Sequence, residues 1–228
     1  MAALRSLPSR PAFAATREQL ARLCRSVEDG GKQEALVSGF DELDRRLPRG
    51  GWPLGALIEL LCFAQGIGEL SLLLPALCRL ANDGRYIAWI APPYIPYAPA
   101  LAQRGLPLER LLIIHTGSLA ESLWATEQAL RCPAVGAVLG WAEHLVDKNL
   151  RRLQLAAEAG GSLGILHRPP AAANQASPAA LRLQLQPQRQ GQGLDIHILK
   201  ARGGHAGWSW QLPHRDALAV HSFPRTGL

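Results

Sequence analysis

Four cysteines and seven histidines are the residues of this chain best suited to grip a metal or attack a substrate. Cys24, Cys62, Cys78 and Cys132 lie far apart, and none forms the C-x-x-C pair that holds zinc or exchanges disulfides. Three of them sit in apolar-rich segments, which points to buried free thiols in a reducing cytosol rather than metal ligands or a disulfide framework. His197, His205, His214 and His221 cluster in sequence but have no partnering cysteine or close acidic pair. Neither a metal nor another cofactor is expected from them.

The basic residues are the other candidates. Net charge is +6, and seven of the bases (Arg168, Arg182, Arg189, Lys200, Arg202, Arg215, Arg225) follow residue 167 against only Asp195 and Asp216, which is +5 of the total. Such a basic third either attracts phosphate backbones or an acidic protein surface, or simply keeps a surface solvated. Composition bounds the rest. With 228 residues, 48% hydrophobic and 18% charged, the chain can bury a sizeable core as one α/β domain with a tail. No apolar run reaches the ~18 residues of a membrane helix, so a cytoplasmic location is expected. Arg5, Arg10 and Arg17 without an acid faintly suggest a transit peptide, but a frayed terminus is the simpler reading.

The elements that must position these residues are legible from periodicity. Residues 16–29 read as a helix capped by Thr16, with Leu20, Leu23, Cys24 and Val27 on one face and Gly30-Gly31 as its stop. Such a lone stripe must dock on its own domain or on a partner, which makes Leu20, Leu23 and Val27 candidate partner-binding residues. Ala56 to Phe63 reads as a buried strand, followed by a glycine-containing loop, Ala64 to Gly68, and a helix from Glu69 to Asn82. Then come strand Tyr86–Ala91, a Pro-rich turn and a helix near Pro96–Arg104, strand Leu111–His115, and a helix from Ser118 to Arg131 with Ser118 and Glu121 as a capping box. Strand Ala134–Leu139, a helix ending near Ala159 and strand Ser162–His167 close the series. The alternation predicts an α/β fold with a mostly parallel sheet flanked by helices. Residues 169–180, with no charge, read as a flexible loop. Leu181–Leu185, Leu194–Lys200 and Trp208–Leu212 alternate with period two and predict antiparallel C-terminal strands. The organisation is therefore a helical segment 1–35, a core 36–212 and a basic irregular tail 213–228, in which Arg215 and Arg225 are further candidate partner contacts.

Ser38-Gly39-Phe40-Asp41-Glu42-Leu43-Asp44, then Gly50-Gly51-Trp52-Pro53-Leu54-Gly55, then Leu57-Ile58-Glu59 resemble the blocks that open the RecA/Rad51 recombinase core. That resemblance implies a RecA-like core over about residues 36 to 212. In the recombinases the first strand feeds a P-loop whose amides cradle phosphates, whose lysine reaches the β/γ-phosphates and whose Ser/Thr holds Mg²⁺. Here the loop reads Cys62-Phe63-Ala64-Gln65-Gly66-Ile67-Gly68-Glu69-Leu70-Ser71. Glu69 stands at the lysine position and Leu70 at the Mg²⁺ position, and a carboxylate repels a triphosphate. Pro92 stands near the catalytic glutamate of the second strand, and Gly140 at the Walker B aspartate. Gly66, Gly68, Glu69 and Leu70 thus form a degenerate P-loop, with no catalytic residue and no enzyme expected; Gly50, Gly51, Gly55, Gly66 and Gly68 read as structural.

A RecA-like core without a P-loop, carrying Gly66-Ile67-Gly68-Glu69-Leu70-Ser71-Leu72-Leu73-Leu74-Pro75, resembles the bacterial ImuA family. The resemblance implies an SOS-induced adaptor of mutagenic translesion DNA synthesis, with ImuB and an error-prone DnaE-type polymerase as partners and RecA as a further contact. SulA, a shorter relative with the same degenerate core, implies the alternative: a cell division inhibitor that binds FtsZ. Two other readings are weaker. An ATPase would need its cation from Arg79 or Arg85, since no lysine lies between Lys32 and Lys148. A DNA-binding module could use Arg168, the loop 169–180, Trp208 and Trp210, but Trp208 and Trp210 share one strand face and read as packed there, so DNA contact is expected to be weak or indirect.

Overall fold

The computed structural model describes residues 11–25, 34–142, 144–188 and 193–213. Helix α1 (Pro11–Arg25) comes first, then the short strand β1 (Ala35–Leu36), helix α2 (Asp41–Asp44) and strand β2 (Trp52–Pro53). The alternating series is β3 (Ala56–Cys62), α3 (Glu69–Asn82), β4 (Tyr86–Ile90), α4 (Ala98–Gln103), β5 (Leu111–Ile114), α5 (Leu119–Arg131), β6 (Val135–Trp141), α6 (Asp147–Gly160) and β7 (Leu163–Arg168). Strands β8 (Leu181–Pro187), β9 (Gly193–Ala201) and β10 (Ser209–Pro213) complete the described chain.

Eight strands form one sheet in the order β10-β9-β8-β3-β7-β6-β4-β5. From β8 to β5 every pairing is parallel; β8 with β9 and β9 with β10 are antiparallel. Strand β3 is central because it is apolar almost throughout and buried on both faces, as a parallel strand covered by two helix layers must be. On one face Ile58, Leu60, Trp89, Leu183 and Ile196 meet Leu72, Leu73 and Leu77 of α3 and the segment around Trp52. On the other, Leu57 and Val138 meet Leu130 of α5 and Leu150 and Leu153 of α6. Among the described residues no helix is long and apolar enough to cross a membrane.

The segment before the core is locked by its own polar groups. Ser38 N–H donates to Asp44 Oδ1 at 2.8 Å, and Phe40 N–H to Ser38 Oγ at 3.1 Å. Strands β1 and β2 pair across Leu36 and Trp52, so close that a Cβ on Gly51 would collide with the Leu36 carbonyl. Trp208 and Trp210 pack back on this segment, Trp210 against Phe40 at 5.3 Å and Trp208 under the Arg46 guanidinium at 5.2 Å.

Several expectations are corrected. The first helix begins at Pro11, a position that suits proline because its missing N–H has no partner there, so Thr16 lies inside the helix rather than at its start. The helix docks on its own domain: Leu20 is buried in the α5–α6 core and Leu23 is half-buried, so in this conformation they serve the chain's own packing. Val27, Arg215 and Arg225 lie outside the described residues. Cys24 and Cys132 are not free thiols but a disulfide between α1 and the end of α5, with Cα atoms 5.0 Å apart; distance in sequence hid a contact made in space. The loop 169–180 is not loose. It contains a 3₁₀ turn, Pro170–Asn174, whose carbonyls are taken by Arg182.

Candidate functional site

The loop between β3 and α3 is the candidate site, because ligands of open α/β sheets sit at the carboxyl ends of the strands. Residues 63–68 leave β3 in bends, with Gly66 at φ +76° and Gly68 at φ +112°, both in the left-handed region that glycine enters without strain. Such a loop turns its amides inward toward an anion. The anion here is part of the chain. The Glu69 carboxylate accepts from Gly66 N–H at 2.8 Å and from Gly68 N–H at 3.1 Å, and the residue is only 4% exposed. Glu69 also sits in the first turn of α3, where a negative charge is favoured by the helix dipole. Gly66, Gly68 and Glu69 are therefore brought together, while Leu70 packs against the α3 core.

A second element closes the loop from below. Trp141, the last residue of β6, donates its indole N–H to Gln65 Oε1 at 3.0 Å. It stacks on His167 of β7, ring centroids 4.6 Å apart and planes 6° from parallel, and meets Trp89 of β4 edge-on at 6.0 Å. Burial pushes the His167 imidazole down to about 4. Its ring lies near the Gly140 backbone, which opposes the shift, but neither nitrogen reaches hydrogen-bond geometry, so the neutral ring acts as an apolar plate. Burial, with the Glu69 charge as the lesser cause, pushes the Cys62 thiol up to about 12, and it stays protonated. At Gly140 a Cβ would already press on Leu166. Pro92 follows Ala91, which holds a positive φ of 51°, unusual for a residue with a side chain. Among the described residues no group of three or more His, Cys, Asp or Glu could hold a metal ion.

The polar centre that sequence reasoning missed lies in β3. Strands β7 and β8 flank β3, so Glu59, 0% exposed, falls between Arg168 and Arg182. Arg168 Nη1 donates to Glu59 Oε1 at 2.8 Å and Arg182 Nε to Glu59 Oε2 at 2.6 Å. Further donors of the two arginines hold the loop 169–180 down: Arg182 Nη2 donates to Ala172 O at 2.6 Å and Arg168 Nη2 to Gln175 Oε1 at 2.8 Å. Two of the seven C-terminal bases are thus spent inside, and the charge excess does not translate into a surface of equal strength. The signal in sequence was a lone glutamate in an otherwise apolar strand, Ala56 to Cys62.

Large apolar side chains reach solvent at this edge, alongside the exposed polar residues His115, His144, Asp147 and Lys148. Phe63 follows β3, Tyr94, Ile95 and Tyr97 follow β4, and Val146 follows β6; Ile95 is 88% exposed. The loop Ala91-Pro92-Pro93-Tyr94-Ile95-Pro96-Tyr97 carries no charge. Read only as a Pro-rich turn, it held a visible signal, three large side chains among prolines. Exposed large apolar residues of this kind mark protein contacts more often than small-molecule chemistry.

Residues 57–164 match the family model described as "Cell division inhibitor SulA". The chain is 38% identical over 101 residues to the cell division inhibitor SulA of Edwardsiella piscicida, which is 44% of this chain and 60% of that protein. It is 33% identical over 114 residues to SulA of Photorhabdus laumondii, covering 50% of this chain and 64% of the relative. With SulA of Klebsiella aerogenes the identity is 33% over 127 residues, 55% of this chain and 69% of the relative. The chain therefore spans less than two thirds of the first two proteins and just over two thirds of the third.

Proposed function

The chain belongs to the SulA family, and from that premise we propose that it is a non-catalytic cytoplasmic protein of the SOS response that inhibits cell division by binding the tubulin-like protein FtsZ. One observation carries the non-catalytic part: the amides that would hold a phosphate are occupied by Glu69. The sheet order and the self-filled loop support reading the domain as a RecA-like core turned from nucleotide chemistry to protein binding. The apolar residues at the carboxyl edge, Tyr94 and Ile95 foremost, supply the contact surface.

The test is FtsZ assembly with GTP, followed by sedimentation and light scattering. Added protein should suppress polymer in proportion to its concentration, and the paired change Tyr94→Asp and Ile95→Asp should restore it while leaving the circular dichroism spectrum unchanged. Normal FtsZ assembly in the presence of a molar excess of folded protein would sink the proposal.

A second reading has one observation in its favour. The family match ends at residue 164, yet β8, β9 and β10 continue the same sheet in order beyond it. That addition suits an ImuA-type adaptor of translesion synthesis, acting with ImuB and an error-prone DnaE-type polymerase, and with RecA. Pull-downs of the purified protein against FtsZ and against ImuB separate the two. The packing of Arg168, Trp208 and Trp210 into the fold supports the reading that DNA contact is weak or indirect in either case.

A further inference from the structure

Helix α1 is tied to the domain at two places. Leu20 is buried in the α5–α6 core, and Cys24 is joined to Cys132, which caps the C-terminus of α5 and lies 108 residues away. Leu23 is half-buried against the same core. Glu18, Gln19, Ala21 and Arg22 are exposed, and Arg17 lies over the Trp124 ring at 5.2 Å. The helix runs beside β5, the last strand of the sheet, whose outer edge pairs with no strand among the described residues. Packing between them is incomplete: a cleft of about 120 Å³ remains between Gln19 and Leu20 on one side and Leu111 to Ile114 on the other.

We propose that the Cys24–Cys132 disulfide is a redox latch that holds α1 over the free edge of β5, and that reduction lets the helix leave and opens that edge. A 15-residue helix is marginal by itself in water, and among its residues with described side chains one buried and one half-buried leucine are a small anchor for it. Covalent closure supplies the missing restraint by confining α1 next to its site. An edge strand left uncovered is a template for pairing with another chain, so the latch controls a surface as well as a helix. This regulation does not depend on which partner the carboxyl edge binds.

The chemistry is a two-electron exchange with a hydroperoxide as oxidant. Cys24, the more exposed of the two, attacks the peroxide oxygen as thiolate, giving a sulfenic acid and an alcohol or water. The Cys132 thiolate then attacks the Cys24 sulfur, the S–S bond forms, and the hydroxyl leaves as water with the released proton. A dithiol reverses the step, passing one electron pair and two protons to the two cysteines while it closes to its own disulfide. Cys62 and Cys78 stay out of the exchange, because burial holds their thiols protonated, at about 12 and about 11.

The experiment uses the full chain, treated with one equivalent of hydrogen peroxide or with dithiothreitol. Non-reducing peptide mapping of the oxidised sample should give one cross-linked peptide pair, joining Cys24 to Cys132. Trypsin should then cut at Arg17 and Arg22 at least about tenfold faster in the reduced protein, since cleavage reports how often the helix opens. Cys24→Ser should be cut at the fast rate under both treatments, with Cys132→Ser as a second variant giving the same answer. No Cys24–Cys132 peptide after peroxide, or equal cleavage of oxidised and reduced protein, would overturn the proposal.

Discussion

Removing the Glu69 carboxylate tests whether the loop is held by its own anion. Glu69→Ala deletes acceptors for Gly66 N–H at 2.8 Å and Gly68 N–H at 3.1 Å, and removes a charge from the first turn of α3. Hydrogen bonds to a charged group contribute roughly 1.5–3 kcal/mol each, and the dipole term roughly 0.3–1 kcal/mol. Their sum overstates the loss. Gly66 is exposed, so water reaches its amide once the carboxylate is gone and offsets part of the deficit. About 2 kcal/mol should remain for Glu69→Ala and about 1 kcal/mol for Glu69→Gln, which keeps one acceptor oxygen. For a chain of this length, 2 kcal/mol lowers Tm by roughly 4–8 °C. Urea unfolding followed by tryptophan fluorescence measures the difference, and Cys62 gives an independent readout. Without the Glu69 charge its thiol should titrate lower than about 12, yet stay above its ordinary value of 9.0, because burial is the larger cause. An alanine variant within about 0.5 kcal/mol of wild type, with the Cys62 titration unmoved, would refute the self-filled loop.

Three further outcomes follow from the packing. Glu59→Ala leaves Arg168 and Arg182 buried without their shared counter-charge, so stability should fall by about 3–5 kcal/mol in denaturant titrations, with the loop 169–180 becoming the first site of proteolysis. For His167, the unfolded chain binds a proton near pH 6.5 but the fold resists it to about 4. Its contribution is therefore complete above the first value and is lost as pH falls through that window, at up to about 1.4 kcal/mol per pH unit; His167→Phe should flatten the pH dependence of the urea midpoint. Gly51→Ala must displace the Leu36 backbone and should cost about 3 kcal/mol, whereas Gly66→Ala meets open space and only backbone strain, about 1–2 kcal/mol, a contrast that thermal unfolding resolves.

What could be read from sequence and what could not divides along one physical line, the range of the interaction. Local signals placed elements well. The apolar run from Ala56 lies in β3, and Glu69 to Asn82 is α3 to the residue. Ser118 caps α5 by accepting from Glu121 N–H at 3.2 Å, although Glu121 reaches back to Gly117 rather than to Ser118 itself. Strand β6 runs on through Gly140 to Trp141, past the predicted end at Leu139, because pairing with β7 carries it there. Glu69 was legible too, as a carboxylate where a phosphate-binding loop needs a lysine, but not its role as the loop's own ligand. The pairs that escaped are those joined through the sheet or between layers: Glu59 with Arg168 and Arg182, Trp141 with His167, and Cys24 with Cys132.

Those long-range pairs share a consequence for how the molecule acts. Each withdraws a group that could have met a ligand. Arg168 and Arg182 are neutralised in part by Glu59 and then pin the loop above them. Trp141 and His167 fill the floor of the crevice, and Glu69 fills its mouth. Above a crevice closed at this many points by internal contacts, the large apolar side chains of Phe63, Tyr94, Ile95, Tyr97 and Val146 remain exposed. The energetic asymmetry favours this outcome. Polar groups satisfied inside the fold do not have to be desolvated when a partner arrives, while exposed aromatic and branched side chains gain by being covered. Under the proposed function, the self-filled loop and the exposed apolar edge are two sides of one arrangement of the residues around β3, β4 and β6.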